Sequence, residues 1–205
     1  MSRVIINGDD FGMNERCSRA IVRAFKEASV TDTTAMANGV FFDEAIDIAV
    51  HSGFADRIGV HFNLTEGAPL TEDIRNIPDF VISGRFHKQF IKNPRPLSGA
   101  EQGAIYHELS AQAEKILSAG IRITHADSHH YIHNDPYLAP IIAQVCRDSG
   151  IKKIRLKRDL GGAAGYEENN RFWREQGFIT TDHFGRMSDV SGMNIPDNLE
   201  IMVHP

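Results

Sequence analysis

Arg3-Val-Ile-Ile-Asn-Gly-Asp-Asp-Phe-Gly12 decides how the rest of the chain is read. Residues 3–8 are apolar enough for a buried strand, and two carboxylates, Asp9 and Asp10, follow at its end. A dinucleotide fold needs glycines at that turn, and a P-loop needs a Gly-rich run ending in Lys, so no nucleotide is expected there. A single Asp would read as the N-cap of the next helix. Two in tandem point in different directions from a strand, so one can bind a cation while its neighbour acts as base. A metal would offset the penalty of ionising both.

Outward from this strand, strand-like and helix-like segments alternate along the 205 residues. From 14 to 28, Cys17, Ala20, Ile21, Ala24, Phe25 and Ala28 recur with the helical period, opposite Arg19, Arg23, Lys26 and Glu27. Residues 31–36 are β-branched and strand-like. Residues 41–50 read as a helix with Asp43 and Glu44 at its positive end. A strand at 57–64 follows. Helices are expected at 101–119, 136–149 and 167–177, and further strands at 121–124, 151–156, 178–181 and 199–203. Such alternation implies a parallel sheet with right-handed crossovers. The expected fold is therefore α/β: one domain over 1–205, an irregular seven-stranded (β/α) TIM-like barrel. Only 65–98 breaks the pattern, with four prolines and no periodicity. It is too long for an ordinary connection and, following His61 directly, reads as a substrate-covering insertion.

Bulk properties narrow the function. A net charge of −5 without blocks of like charge argues against nucleic acid and anionic membrane as partners. No apolar run approaches the roughly 20 residues that span a bilayer. The basic stretch Lys152-Lys-Ile-Arg-Leu-Lys-Arg158 reads as a solvated edge or a substrate-facing patch. Cys17 and Cys146 fall on apolar helix positions, as buried free thiols would. With no apolar leader ahead of the first strand, a reducing cytoplasmic location is the expectation.

Five of the strands end on residues that bind metals or move protons. Asp9 and Asp10 end the first, His61 follows 57–60, and His125 with Asp127 follows 120–124. Asp182 and His183 follow 178–181, and His204 closes 199–203. Polar groups gathered at one end of successive parallel strands are how α/β folds build active sites. Thr124-His-Ala-Asp-Ser-His-His-Tyr-Ile-His133 holds four histidines. His125, at the strand terminus, is the best-placed metal ligand, and Asp127 is suited to orient a ligating ring. His129 and His130 are expected to line the cleft or support the ligands. Arg155 either pairs with a carboxylate of the site or is an edge charge. Imidazole titrates near neutral pH, which suits His204 to protonating a leaving group. No G-x-S-x-G or Cys-x-x-Cys is present. One Asp with two His points to metal-assisted hydrolysis.

Ile6-Asn-Gly-Asp-Asp-Phe-Gly12, Thr33-Thr-Ala-Met-Ala-Asn-Gly39, Gly59-Val-His-Phe-Asn-Leu-Thr-Glu-Gly-Ala-Pro-Leu70, 124–133 and Ile201-Met-Val-His-Pro205 together resemble the YdjC-like (ChbG-type) carbohydrate deacetylases. The resemblance implies a deformed barrel of the glycoside hydrolase/deacetylase type that removes N-acetyl groups from amino sugars such as chito-oligosaccharides. It implies Asp9 as base, His204 as acid, and Asp10, His61 and His125 as ligands of Mg2+ or Zn2+. Tyr131 stands where the family usually has a third consecutive histidine. The chain stops at Pro205 where relatives continue with glycine and a further helix, as a shortened or truncated member would. A hydrolase of another C–N bond, such as a lactam, and a silent carbohydrate-binding relative are the alternatives. Phe80, Phe86 and Phe90 are available to a glycan cleft, and apolar surface around 65–98 would favour a homodimer.

Overall fold

The computed structural model describes residues 4–161 and 164–205. Its frame is a curled, all-parallel sheet. The first strand, β1 (Val4–Phe11), lies between β2 (Asp32–Ala35) and the last, β8 (Leu199–Val203). Outside these lie β3 (Ile58–Phe62) and β6 (Ala126–Ser128) on one side and β7 (His183–Arg186) on the other, giving the order β6-β3-β2-β1-β8-β7.

Helices supply the crossovers. In α1 (Glu15–Lys26) the Asn14 side chain accepts from the Cys17 amide and so caps the first turn, while Ile21, Val22 and Ala24 are buried. In α2 (Phe42–Ser52), Phe42, Ala45, Ile46 and Ala49 are buried, and Gly53 ends the helix with φ 76°. A Ser98–Glu101 capping box starts α4 (Gly99–Ser118). The last two long helices are α5 (Ala139–Asp148) and α6 (Tyr166–Glu175). A four-residue helix, α7 (Met187–Val190), links β7 to β8.

Two expectations are corrected. Seven full strands were expected, but the main sheet has six among the described residues, and one of them, β7, was not among those expected. Residues 151–156 and 178–181 contribute only the single parallel bridges Ala126–Ile154 and Lys153–Ile179. The fourth strand also lies later than its apolar pattern suggests. Ile121 and Ile123 are buried in the core, but the regular ladder to β3 runs through Ala126, Asp127 and Ser128.

The 65–98 segment has structure of its own. It holds the hairpin β4 (Val81–Ile82) and β5 (Arg85–Phe86), turned by Ser83 and Gly84 at φ 51° and 74°, then α3 (Gln89–Lys92). Phe80, Phe86 and Phe90 are buried in the main hydrophobic cluster, with Phe80 and Phe90 stacked at 4.6 Å. They hold the insertion down and are not open to a sugar, each adding about 1.5–3 kcal/mol of burial. At its start, fully buried Glu108 of α4 accepts the Leu70 and Thr71 amides and the Thr71 hydroxyl. Those bonds satisfy the buried carboxylate.

Candidate active site

β1 ends in a bulge. Its register with β2 slips between Gly8 and Phe11, and Asp10 takes the left-handed conformation, φ 71°. On a regular strand Asp9 and Asp10 would face opposite sides of the sheet. The extra residue re-aims one of them, and both line the same cleft. That cleft, about 740 Å³, opens at the C-terminal ends of the strands and also receives His61, His129, Tyr131 and His204.

Asp10, His61 and His129 are buried, and one donor atom from each lies within 4.8 Å of the others. His61 Nε2 is 3.1 Å and His129 Nδ1 2.8 Å from the same Asp10 oxygen. The far nitrogen of each ring is held by an acid. His61 Nδ1 donates to Asp127 (2.6 Å), and His129 Nε2 lies 3.2 Å from Glu66. Carboxylates behind ligating imidazoles fix the tautomer and aim the other nitrogen inward. This donor set could hold a metal ion.

Charge follows the same geometry. Burial alone would lower the His61 pKa, but the Asp127 and Asp10 carboxylates raise it to about 10. Burial would likewise raise Asp10, yet hydrogen bonds from His129 and His61 hold it well below the carboxylate range. At neutral pH a proton therefore sits on His61 between two acids.

The structure does not bring His125 to this group. It precedes β6, so it lies at the entry end of that strand, and its ring bonds Asn7 Oδ1 (3.1 Å) and Thr124 (2.8 Å). It packs on Gly59, where a Cβ would stand 2.6 Å from the His125 carbonyl oxygen and 2.8 Å from its ring. Four residues on, roughly 13 Å along an extended chain, His129 stands at the exit end. The histidine that the structure sets beside Asp10 and His61 is thus His129, where His125 was expected. Burial keeps the His125 pKa below its ordinary value, as expected of an imidazole inside the sheet.

Beneath the cleft lies one guanidinium with three acids. Arg155, 1% exposed, donates from both terminal nitrogens to the two Asp9 oxygens (2.7 Å each). Nη1 also meets Asp127 at 2.8 Å, and Nε donates to Glu200 at 2.6 Å. Thr34 donates to Asp127 and accepts from Asn7, which donates again to Asp9. One cation cannot compensate three buried carboxylates equally. Burial, with Asp127 and Asp9 nearby, pushes Glu200 up to about 7 despite Arg155, while Arg155 stays protonated throughout. Asp9, His61 and Asp127 also converge, but Arg155 occupies both acids. Glu200 escaped the sequence reading, because within Leu199-Glu-Ile-Met-Val203 it looks like the solvent-facing position of an edge strand.

The remaining candidates fall around this core. His204 Nε2 is 3.5 Å from the second Asp10 oxygen, at the exposed rim. His130 and Tyr131 both adopt left-handed backbone, φ 52° and 56°, and Thr65 bonds the His130 ring at 2.8 Å. Burial, then His129 and Lys88, lower the His130 pKa to about 4. His183 opens β7 instead of ending a strand and pairs with Asp159 at 2.7 Å, while Asp182 accepts from Asn198. Neither lines the cleft.

A parallel α/β sheet with acids and imidazoles at its exit end defines the class: α/β proteins whose active site is carried on strand termini. The family profile described as YdjC-like protein matches residues 3–205, and the chain belongs to that family. It is 32% identical to a carbohydrate deacetylase of Listeria welshimeri, over 99% of this chain and 81% of the relative. It is also 32% identical to a chitooligosaccharide deacetylase of Salmonella paratyphi B, over 100% and 82%. Among solved structures, a protein of Enterococcus faecalis named for cellobiose-phosphate cleavage superposes with TM-score 0.80 at 25% identity, over 100% of this chain and 81% of that one. A lactam utilization protein of Thermus thermophilus, TM-score 0.50 and 19% identity over 90% and 66%, shares the fold. No helix among the described residues is long and apolar enough to cross a membrane.

Proposed function

We propose that this protein is a divalent-metal-dependent hydrolase that removes N-acetyl groups from amino sugars such as chito-oligosaccharides. One observation carries the reading: Asp9, locked on Arg155, shares a cleft with the Asp10–His61–His129 donor set and with His204. The deacetylase names of the relatives supply the substrate class.

Asp10, His61 and His129 would hold the ion, with Asp127 and Glu66 orienting the two rings. When bound, the ion supplies positive charge that polarises the acetyl carbonyl. Asp9 accepts the proton of the attacking water, and Arg155 keeps both its oxygens in place. His204, at the rim beside Asp10, protonates the departing amine, giving acetate and a free amino sugar. His130 and Tyr131, thrust into the cleft by their strained backbone, bind the sugar. The two single bridges at Ile154 and Ile179 support a barrel-like closure of the sheet behind this floor.

The test is acetate release from chitobiose and its phosphorylated form, with and without chelator. Release that stops on chelation and returns with Mg2+ or Zn2+ is expected, and chelator-insensitive release removes the metal from the proposal. Asp9→Asn should keep the ion and lose turnover by about 10²–10⁴-fold; an active variant means that another group is the base.

A further inference from the structure

We propose that Glu200 is a positioning residue for this deacetylation, fixing the guanidinium of Arg155 so that Asp9 is presented in one orientation; this rests on the reading of Asp9 given above. Glu200 does not line the cleft. It lines a separate cavity of about 250 Å³, with His125 and Thr181. On β8 it lies four residues before His204, roughly 13 Å of extended chain. Any effect on the substrate must therefore pass through the side chain that it bonds.

That side chain has three unequal supports. Nη1 and Nη2 are both taken up by Asp9, the group to be held. Asp127 meets only Nη1, and it is already committed to His61 and Thr34. Nε, on the opposite edge, bonds Glu200, and one face of the guanidinium lies 4.9 Å from the Phe184 ring centre. Edge and face together set the plane of the fork. Asp9, bonded through both oxygens, has to lie in it. A base misplaced by an ångström loses reactivity without losing substrate affinity, so the signature is a selective fall in kcat.

The experiment uses the full chain loaded with ion and compares Glu200→Leu, Glu200→Gln and Glu200→Asp. Leu removes the acceptor, Gln preserves one at the same reach, and Asp stops one methylene short. The expected result is a fall in kcat of about ten- to a hundredfold for Leu and Asp. KM and bound ion should stay within about twofold, and Gln should recover most of the rate. In parallel, ¹⁵N NMR of the Arg155 Nε–H should show a slowly exchanging proton in the wild type and the Gln variant, exposed to exchange in Asp and Leu. If Leu does not fold, the Asp and Gln variants carry both readouts. Wild-type kcat in Leu or Asp, equal losses in Gln and Asp, or an Nε–H still protected in Asp each overturn the proposal. A wild type that releases no acetate sinks the deacetylase reading instead, and the NMR comparison still decides whether Glu200 fixes Arg155.

Discussion

Asp127 divides the polar interior into two clusters built on opposite principles. Above it, Asp10, His61 and His129 face a cleft and carry donor atoms that could hold a metal ion in place of a proton. Below it, Asp9, Glu200 and Arg155 are buried, and their cation does not give up its proton at any accessible pH. The upper cluster is adaptable because its imidazoles can give up their protons, while the lower is held by a guanidinium that keeps its charge. In the proposed mechanism, a base that must stay in register beside an exchangeable ion is best anchored to the fixed cluster. Asp9 is.

Arg155 is where the lower cluster is most vulnerable. Arg155→Met should leave three carboxylates buried without their partner and destabilise the protein by about 3–5 kcal/mol in chemical denaturation; a loss below 1 kcal/mol would mean that the acids are neutral or hydrated already.

The upper cluster should respond to pH instead. His61 is raised from 6.5 to about 10 in the metal-free protein. The resulting stability is fully present below the unfolded value and is lost as pH rises through the folded one. Between those values the loss should run at about 1.4 kcal/mol per pH unit. Melting in chelator should therefore fall faster from pH 7 to pH 9.5 than melting in saturating Zn2+ or Mg2+, where the ion replaces the proton. Parallel curves would remove His61 from the ligand set.

At the boundary, Thr34→Val deletes the hydroxyl shared by Asn7 and Asp127, both of which keep another partner. A cost of about 1–2 kcal/mol with the ion retained is expected from denaturation and metal analysis. Loss of the ion instead would mean that the two clusters do not behave separately.

Most of the frame was legible in the sequence because apolar or β-branched runs alternate cleanly with runs of helical period. β6 was not, because its pairing residues are Ala126-Asp-Ser128 while the apolar run beside it, Ile121 to Ile123, serves the core. That offset is what sets His129, and not His125, beside Asp10 and His61. Arg155 was visible as a charge within an apolar run, but its partners are 146, 28 and 45 residues away, and no local pattern records such distances. Phe80, Phe86 and Phe90 of 65–98 were available to a cleft on sequence alone, because nothing local records that they pack into the main hydrophobic cluster.

The bulge in β1 has a consequence for how this motif can change over time. Because one surplus residue lets neighbouring acids share a side, replacing either leaves the other where it was. Excising a residue there would straighten the strand and rotate one carboxylate toward the outer helices. Spacing at this corner therefore matters more to where the two acids point than the identity of either one.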